Sequence, residues 1–383
     1  MKQLVTLLRS SFALRLILTT LLAVALVLGV AISFISRQVQ QTLESKMQHE
    51  LEESIHLTAS MIESYNSQLE HTAKILGNTL AAALPGQVAL DSANTVLVGT
   101  TSTPVLKAGG SVLNGDVALV DRFTANTGAV ATVFARSQDD FIRIATSVKD
   151  PAGQRVLGTK LDHKSPAYAK LLRGETFVGK VLLFGRHYMA EYRPLRDAAG
   201  QLVAVSFIGL DFTQSLQALK DKIKAVRIGE TGYIYALDAA PGAEQGKLTI
   251  HPAKEGAVIL DSKDSNGLAF IREMISRKDG FIRYMWANAE RGETTPREKV
   301  AAFHSVACWD WVISAGSYRD EFEREIRPLM LTIAAIGAIG VVLLAALLAN
   351  LVRVGVRQPL TGIVERLNTM ARGDYRSAVA VDR

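Results

Sequence analysis

LILTTLLAVALVLGVAISFI, residues 16–35, and LMLTIAAIGAIGVVLLAALL, residues 329–348, decide how this chain is built. Each run is 20 residues long and carries no charge. At ~1.5 Å of rise per residue, about 20 helical residues cross a bilayer core of roughly 30 Å. Residues 36–328 between them have the composition of a water-soluble protein. One soluble region is thus tied to a membrane at both ends, the layout of a protein that reports across it.

The flanks set the orientation. Lys2, Arg9 and Arg15 precede or border the first run, and no acidic residue occurs before Glu44. Arg353, Arg357 and Arg366 follow the second. Basic residues next to spans favour the cytoplasmic side. Both ends, 1–15 and 353–383, are therefore expected in the cytoplasm, and 36–328 outside it, at an inner (plasma) membrane. The first run exceeds the roughly 7–15 apolar residues of a signal peptide and is followed by no small-x-small site, so it is expected to stay as an anchor. The net charge of +6 is dispersed, with no basic run interleaved with aromatics, which argues against nucleic acid as a partner. The single cysteine, Cys308, excludes an internal disulfide and a cysteine-based zinc cluster. Beside Trp309 and Trp311 it reads as a small packed residue.

Leu43, Met47, Leu51, Ile55, Thr58, Ile62, Tyr65, Leu69, Ala73, Leu76 and Leu80 recur every three or four residues. They mark one face of a long amphipathic helix, stopped by Pro85-Gly86, within a segment 36–86. Short β-rich runs then follow. Val130–Ala135, Phe141–Val148, Thr176–Phe184, His187–Arg196 and Gln201–Asp211 read as strands, with a helix over Ser165–Arg173. Asp150-Pro-Ala-Gly-Gln154 and Asp197-Ala-Ala-Gly-Gln201 repeat one turn, in which Asp caps the backbone and Gly takes positive φ. Residues 87–211 thus form one antiparallel module, and 212–226 a linking helix. A second module, 227–320, has strands Tyr233–Leu237, Lys247–His251, Phe281–Asn288, Lys299–Ala307 and Trp309–Gly316, and a helix over Asn266–Arg277. The fold class is α+β: a long helix and two tandem antiparallel-sheet modules between two spans (16–35 and 329–351). Residues 353–383 continue with Leu360, Ile363, Leu367 and Met370 as a helical seam broken at Gly373-Asp374.

The residues also carry a family resemblance. The second module has Gly232-Tyr-Ile-Tyr235, His251-Pro252, Gly280-Phe-Ile-Arg-Tyr-Met-Trp286, Lys299, Trp309-Asp-Trp311 and Gly316-x-Tyr318-x-Asp320-Glu321. This resembles a second-type bacterial Cache sensor module. The first has Asp139-Asp140-Phe141-Ile-Arg143, Gly158-Thr-x-Leu-Asp162, Gly185, Tyr188 and Gly209-Leu-Asp211, and resembles a third-type Cache module. Arg357 to Asp374 resembles the first helix and connector start of a HAMP relay, without its second helix, so the chain is expected to be a fragment or truncated product. The resemblance implies the sensor half of a methyl-accepting chemotaxis protein: a homodimer that binds a small extracytoplasmic ligand and signals to a chemotaxis kinase and adaptor. The sensor half of a histidine kinase or diguanylate cyclase stays open as the alternative.

Two pockets are candidates. In the first module, Phe184, Arg186, Tyr188 and Tyr192 alternate onto one strand face, and Arg143 lies opposite an apolar face of Ile142, Ile144, Thr146 and Val148 that is expected under the long helix. An arginine fork with tyrosine hydroxyls suits a small organic acid or other anion; a surface charge over packed tyrosines is the competing reading. In the second, Tyr233 and Tyr235 share a face, as do Tyr284 and Trp286, and Lys299 supplies a cation; a buried tyrosine network is the competing reading. His251 reads as a turn residue. Pro359, Gly373 and Asp374 are expected to relay the signal. No catalytic motif, metal cluster or cofactor signature is present in the sequence, so no enzyme activity, metal or cofactor is expected.

Overall fold

A computed structural model describes residues 12–288 and 292–371. Gly373 and Asp374 lie outside the described residues. The first helix, α1 (Phe12–Ala82), runs 71 residues without a break, so the first apolar run and the amphipathic segment are one rod. At ~1.5 Å per residue it is on the order of 100 Å long. Its lower half leaves Leu22, Leu26, Val30 and Phe34 exposed. Further along, Met47, Leu51, Ile55, Thr58, Ala59, Ile62, Leu69, Ala73 and Leu80 are buried. The stripe is apolar at helical period, and the sheets cover it.

Residues 88–112 form a small antiparallel sheet of β1 (Val88–Val98), β2 (Thr101–Ala108) and β3 (Ser111–Val112). The sequence hides it. In β1 the register slips between Asp91 and Thr95, where Asn94 donates to both Asp91 carboxylate oxygens, so no alternation of apolar residues survives. Then come α2 (Ala118–Thr127), β4 (Val130–Ser137), β5 (Asp140–Thr146), α3 (Pro166–Leu172), β6 (Phe177–Leu183), β7 (Arg186–Arg196) and β8 (Leu202–Asp211). Five of these strands pair in the order β5-β4-β8-β7-β6, all antiparallel. The two repeated turns close alike. Gln154 N–H donates to the Asp150 carboxylate at 2.9 Å and Gln201 N–H to Asp197 at 2.8 Å, with Gly153 and Gly200 at φ 81° and 79°.

The linker α4 (Thr213–Ala225) leads to β9 (Arg227–Ile228), β10 (Gly232–Asp238), β11 (Leu248–Ile250), α5 (Phe270–Arg277), β12 (Asp279–Trp286), β13 (Arg297–Val306) and β14 (Trp311–Tyr318). The second sheet has the order β11-β10-β14-β13-β12, with β9 beside β10. The helix expected from Asn266 starts only at Phe270. The Asp264 carboxylate accepts from Asn266 and Leu268 N–H at 2.8 Å each, which fixes a turn there instead.

Each large sheet has two covered faces. Ile234, Ala236, Val300, Ala302, Ile313 and Ala315 join the core that includes the α1 stripe, whereas Tyr233, Tyr235, Tyr284, Phe303 and Val312 join a core with α5. In the first sheet α1 crosses β7 and β8, and α2 and β2 cover β4. The expected face of β5 is therefore corrected. Ile144 belongs to the core shared with α1 and the small sheet, but Val148 turns to the opposite core beside Phe134 and Phe141. A bulge between Val133 and Phe134 reverses the alternation. Cys308 is exposed on the turn between β13 and β14 rather than packed.

β14 passes into α6 (Arg319–Val352) with no intervening loop. A five-residue π-turn, Arg353–Arg357, joins α6 to α7 (Gln358–Ala371), on which Pro359 is exposed. α1 and α6 are both long and apolar enough to cross a membrane, with 18-residue windows of mean hydropathy 2.0 and 2.7, none of which is buried. They lie side by side, Ser36 Oγ 3.8 Å from Met330 Sδ.

Truncating the buried stripe should be costly. Leu51→Ala or Ile62→Ala should each destabilise by about 2–5 kcal/mol. Leu57→Ala, at 73% exposure on the same helix, should stay within about 0.5 kcal/mol. Urea unfolding followed by circular dichroism distinguishes the two outcomes.

Candidate functional site

The second module holds a partly open cavity of about 70 Å³ lined by Tyr233, Tyr235, His251, Lys254, Phe270, Tyr284, Trp286 and smaller side chains including Ser262. Period-two alternation delivers its floor. Tyr233 and Tyr235 project from β10, and Tyr284 and Trp286 from β12, all toward α5. Phe270, the first residue of α5, stacks on Tyr284 with ring centroids 4.2 Å apart and planes 9° from parallel. Burial, and then the neighbouring phenols of Tyr235 and Tyr233, raise the Tyr284 hydroxyl well above its ordinary pKa. Burial also raises the Tyr235 hydroxyl. Both stay protonated near neutral pH and can donate.

Lys299 is 1% exposed and lies beneath this floor, its ammonium 3.8 Å from the Tyr233 ring centroid and 5.6 Å from that of Tyr318. Its partners across the sheet explain the fit. A Cβ on Gly316 would come within 2.9 Å of Lys299 Cε, so only glycine there leaves room for the lysine stem. The cation is thus wrapped by ring faces rather than set in the cavity wall.

Two residues of the cavity wall were missed from the sequence. His251 does shape a turn: its Nδ1 accepts from Ala253 and Lys254 N–H at 3.0 and 2.9 Å. That pattern puts the proton of the neutral imidazole on Nε2. The same ring packs edge-on against Tyr233, 5.2 Å between centroids, and lines the cavity. Lys254 holds its ammonium 5.7 Å from the Trp286 ring. The His251-Pro252 pair in the sequence was the available signal; Lys254, three residues along an irregular loop, gave none. The cavity wall contains no carboxylate among the described residues.

The first-module candidates are only partly brought together. Arg143 is 8% exposed, beside the Phe134 ring at 5.1 Å and within electrostatic reach of Tyr192. Its Nη1 donates to Thr159 Oγ1 and Val156 O, and its Nε has no hydrogen-bond partner among the described residues. Burial lowers its pKa and pushes the Tyr192 phenol up to about 12. Tyr188 is buried, near Asp211 rather than Arg143. Phe184 leaves the strand face altogether. With Gly185 it forms a two-residue hairpin turn, φ 52° and 79°, the sign pattern of a type I′ turn, and it is 48% exposed. Arg186 stands at the same hairpin end, exposed and paired with Asp211 at 2.8 Å.

A carboxylate clamp ties the second sheet to α6. Glu321, 3% exposed, accepts from Glu230 N–H at 3.1 Å, from Thr231 N–H at 3.0 Å and from the Thr231 hydroxyl. Arg297 reaches Glu321 at 3.3 Å and Asp320 at 3.1 Å while its guanidinium lies 3.7 Å from the Tyr318 ring centroid.

Comparison with known proteins places these features. The profile of the "Cache 3/Cache 2 fusion domain" matches residues 36–331. The methyl-accepting chemotaxis protein McpP of Pseudomonas putida is 25% identical over 195 residues, 47% of this chain. The chain spans only 34% of that relative's length. A crystal structure of a methyl-accepting chemotaxis protein from Vibrio parahaemolyticus is 32% identical, covering 28% of this chain and 72% of its own, with a TM-score of 0.25. The sensory domain of the Campylobacter jejuni chemoreceptor Tlp3 is 11% identical over 74% of this chain and 98% of its own, with a TM-score of 0.44. The match over residues 36–331 takes in the stalk half of α1, both large sheets and the start of α6, and on it the chain belongs to the Cache 3/Cache 2 fusion family.

Proposed function

We propose that this chain is the sensory half of a transmembrane chemoreceptor, and that its second module binds a short-chain carboxylate. The observation that carries the reading is a partly open cavity rimmed by phenol, imidazole and ammonium groups, on the sheet whose last strand becomes α6. A volume of about 70 Å³ admits a ligand of roughly five to seven non-hydrogen atoms. Phenol, imidazole and ammonium groups on one wall can hold an anion through charge-assisted hydrogen bonds, and the aromatic walls suit a short alkyl group. The name of the Pseudomonas putida relative supports chemotaxis as the output. In this reading α1 and α6 cross the inner membrane with both ends cytoplasmic. A homodimer then signals to a chemotaxis kinase and its adaptor through a cytoplasmic region, and Pro359 belongs to the relay.

The route to the membrane is short. Tyr233 borders the ligand, Lys299 lies between Tyr233 and Tyr318, and Arg297 connects Tyr318 to Glu321 in the first turn of α6. A ligand that shifts Tyr233 therefore biases the position of α6, an ångström-scale displacement of the kind interfaces convert into switching.

Calorimetry on the full chain in lipid nanodiscs, with acetate as the probe, tests the pocket. Saturable binding is expected, weakened roughly tenfold by Lys254→Gln and by Tyr235→Phe; equal affinity in both variants would refute it. Glu321→Gln should leave acetate affinity within about twofold while abolishing the acetate-dependent change in disulfide crosslinking rate between cysteines placed in paired second spans. A normal response in that variant would remove the clamp from the route. Arg143→Met addresses the other module: a buried cation without a carboxylate partner is expensive to hold. Its thermal midpoint should be unchanged or higher, and acetate binding unchanged; a loss of acetate binding would move the site to the first module.

A further inference from the structure

A larger cleft, about 390 Å³, opens where the two modules meet. Lys180 and His187 reach it from the first sheet, Phe212 and Lys220 from the linker, and Trp309 and Trp311 from the second module. Lys180 crosses the boundary. Its ammonium lies 4.8 Å from the Trp309 ring and 5.7 Å from the Trp311 ring, and donates to the Trp309 carbonyl at 3.4 Å.

The charges around it are unevenly matched. Glu255 is paired with Lys220 at 2.8 Å and Lys224 at 3.2 Å, and Glu244 with Lys247. The Asp238 carboxylate accepts from Ala240 N–H at 2.9 Å. Among the described residues no carboxylate forms an ion pair with Lys180. Burial, opposed by the more distant Cys308, Asp310 and Asp238, brings its pKa down to about 8, as expected of a cation short of counter-charge. Burial, followed by Lys220 and Lys180, also lowers His187, which keeps its imidazole neutral and able to donate one hydrogen bond. Phe212 and Trp311, with Leu182 at 64% exposure on the rim, supply an apolar wall.

We propose that this inter-module cleft is a second ligand site for a monocarboxylate with a flat apolar body. The carboxylate pairs with Lys180, and the body packs among Phe212, Trp311 and Leu182. After those pairs the lining keeps one cation, Lys180, and one carboxylate, Asp238, which is held by the Ala240 N–H, so a single ligand carboxylate fits on the Lys180 side. At about 390 Å³ the cleft has room for a ring together with its carboxylate, a larger body than the 70 Å³ cavity of the second module is sized for. A molecule held here touches both sheets and α4, so it sets how the modules meet as well as occupying a site. The proposal is independent of what fills the smaller cavity.

Benzoate is the probe, titrated by calorimetry into the full chain in lipid nanodiscs. Saturable heat is expected, with affinity lowered at least tenfold by Lys180→Gln. Leu182→Glu, on the exposed rim where folding is unaffected, should lower it equally by placing a negative charge beside the carboxylate. Saturating acetate should leave benzoate affinity unchanged. Absence of saturable heat, full affinity in both variants, or competition by acetate would each overturn the proposal.

Discussion

Burial of one row of side chains on α1, from Met47 to Leu80, is the constraint on which the remaining structure rests. Neither large sheet has a closed core alone, because each presents an apolar face to this helix. A helix that is long and apolar enough at one end to cross a membrane, and that supports both sheets along its length, has little freedom to tilt independently of them. At the module boundary the contact becomes polar and specific. Trp309 Nε1 donates to Asn66 Oδ1 at 2.8 Å, and the Tyr65 hydroxyl bonds Ser215 of the linker at 2.6 Å. Buried hydrogen bonds of this kind fix register along a stripe that hydrophobic contact alone leaves free to slide.

The two modules share a sheet design but differ in what they can transmit. The first sheet ends in a linker helix. The second ends in α6 itself, and the junction carries Glu321, whose buried carboxylate is satisfied by two backbone N–H groups, a hydroxyl and Arg297. Removing one partner of such a group leaves polar atoms stranded, at about 1–3 kcal/mol, so the clamp moves as a unit or not at all. The aromatic cavity on this sheet is therefore close, in mechanical terms, to α6.

Much of this was legible in the sequence where local rules are strict. The α1 stripe, the Asp-x-x-Gly-Gln turns and the Tyr233, Tyr235, Tyr284 and Trp286 faces follow from helical period, Asp side-chain capping and strand alternation. What was not legible arose where local and global rules part. β1 lost its pattern to the Asp91–Asn94 irregularity, and a bulge at Val133/Phe134 sent Val148 to the other core. Phe184 reads as a strand residue until Gly185 makes the pair a turn. His251 and Lys254 line the cavity from an irregular loop, where no period announces a facing direction.

Hydrogen–deuterium exchange on the full chain in a bilayer, with and without acetate, tests the central claim most directly. Binding in the second module coupled to α6 predicts slowed exchange in residues 232–238 and 248–262, together with altered exchange in residues 319–324. Unchanged exchange throughout the second module, or protection confined to the first sheet, would contradict it.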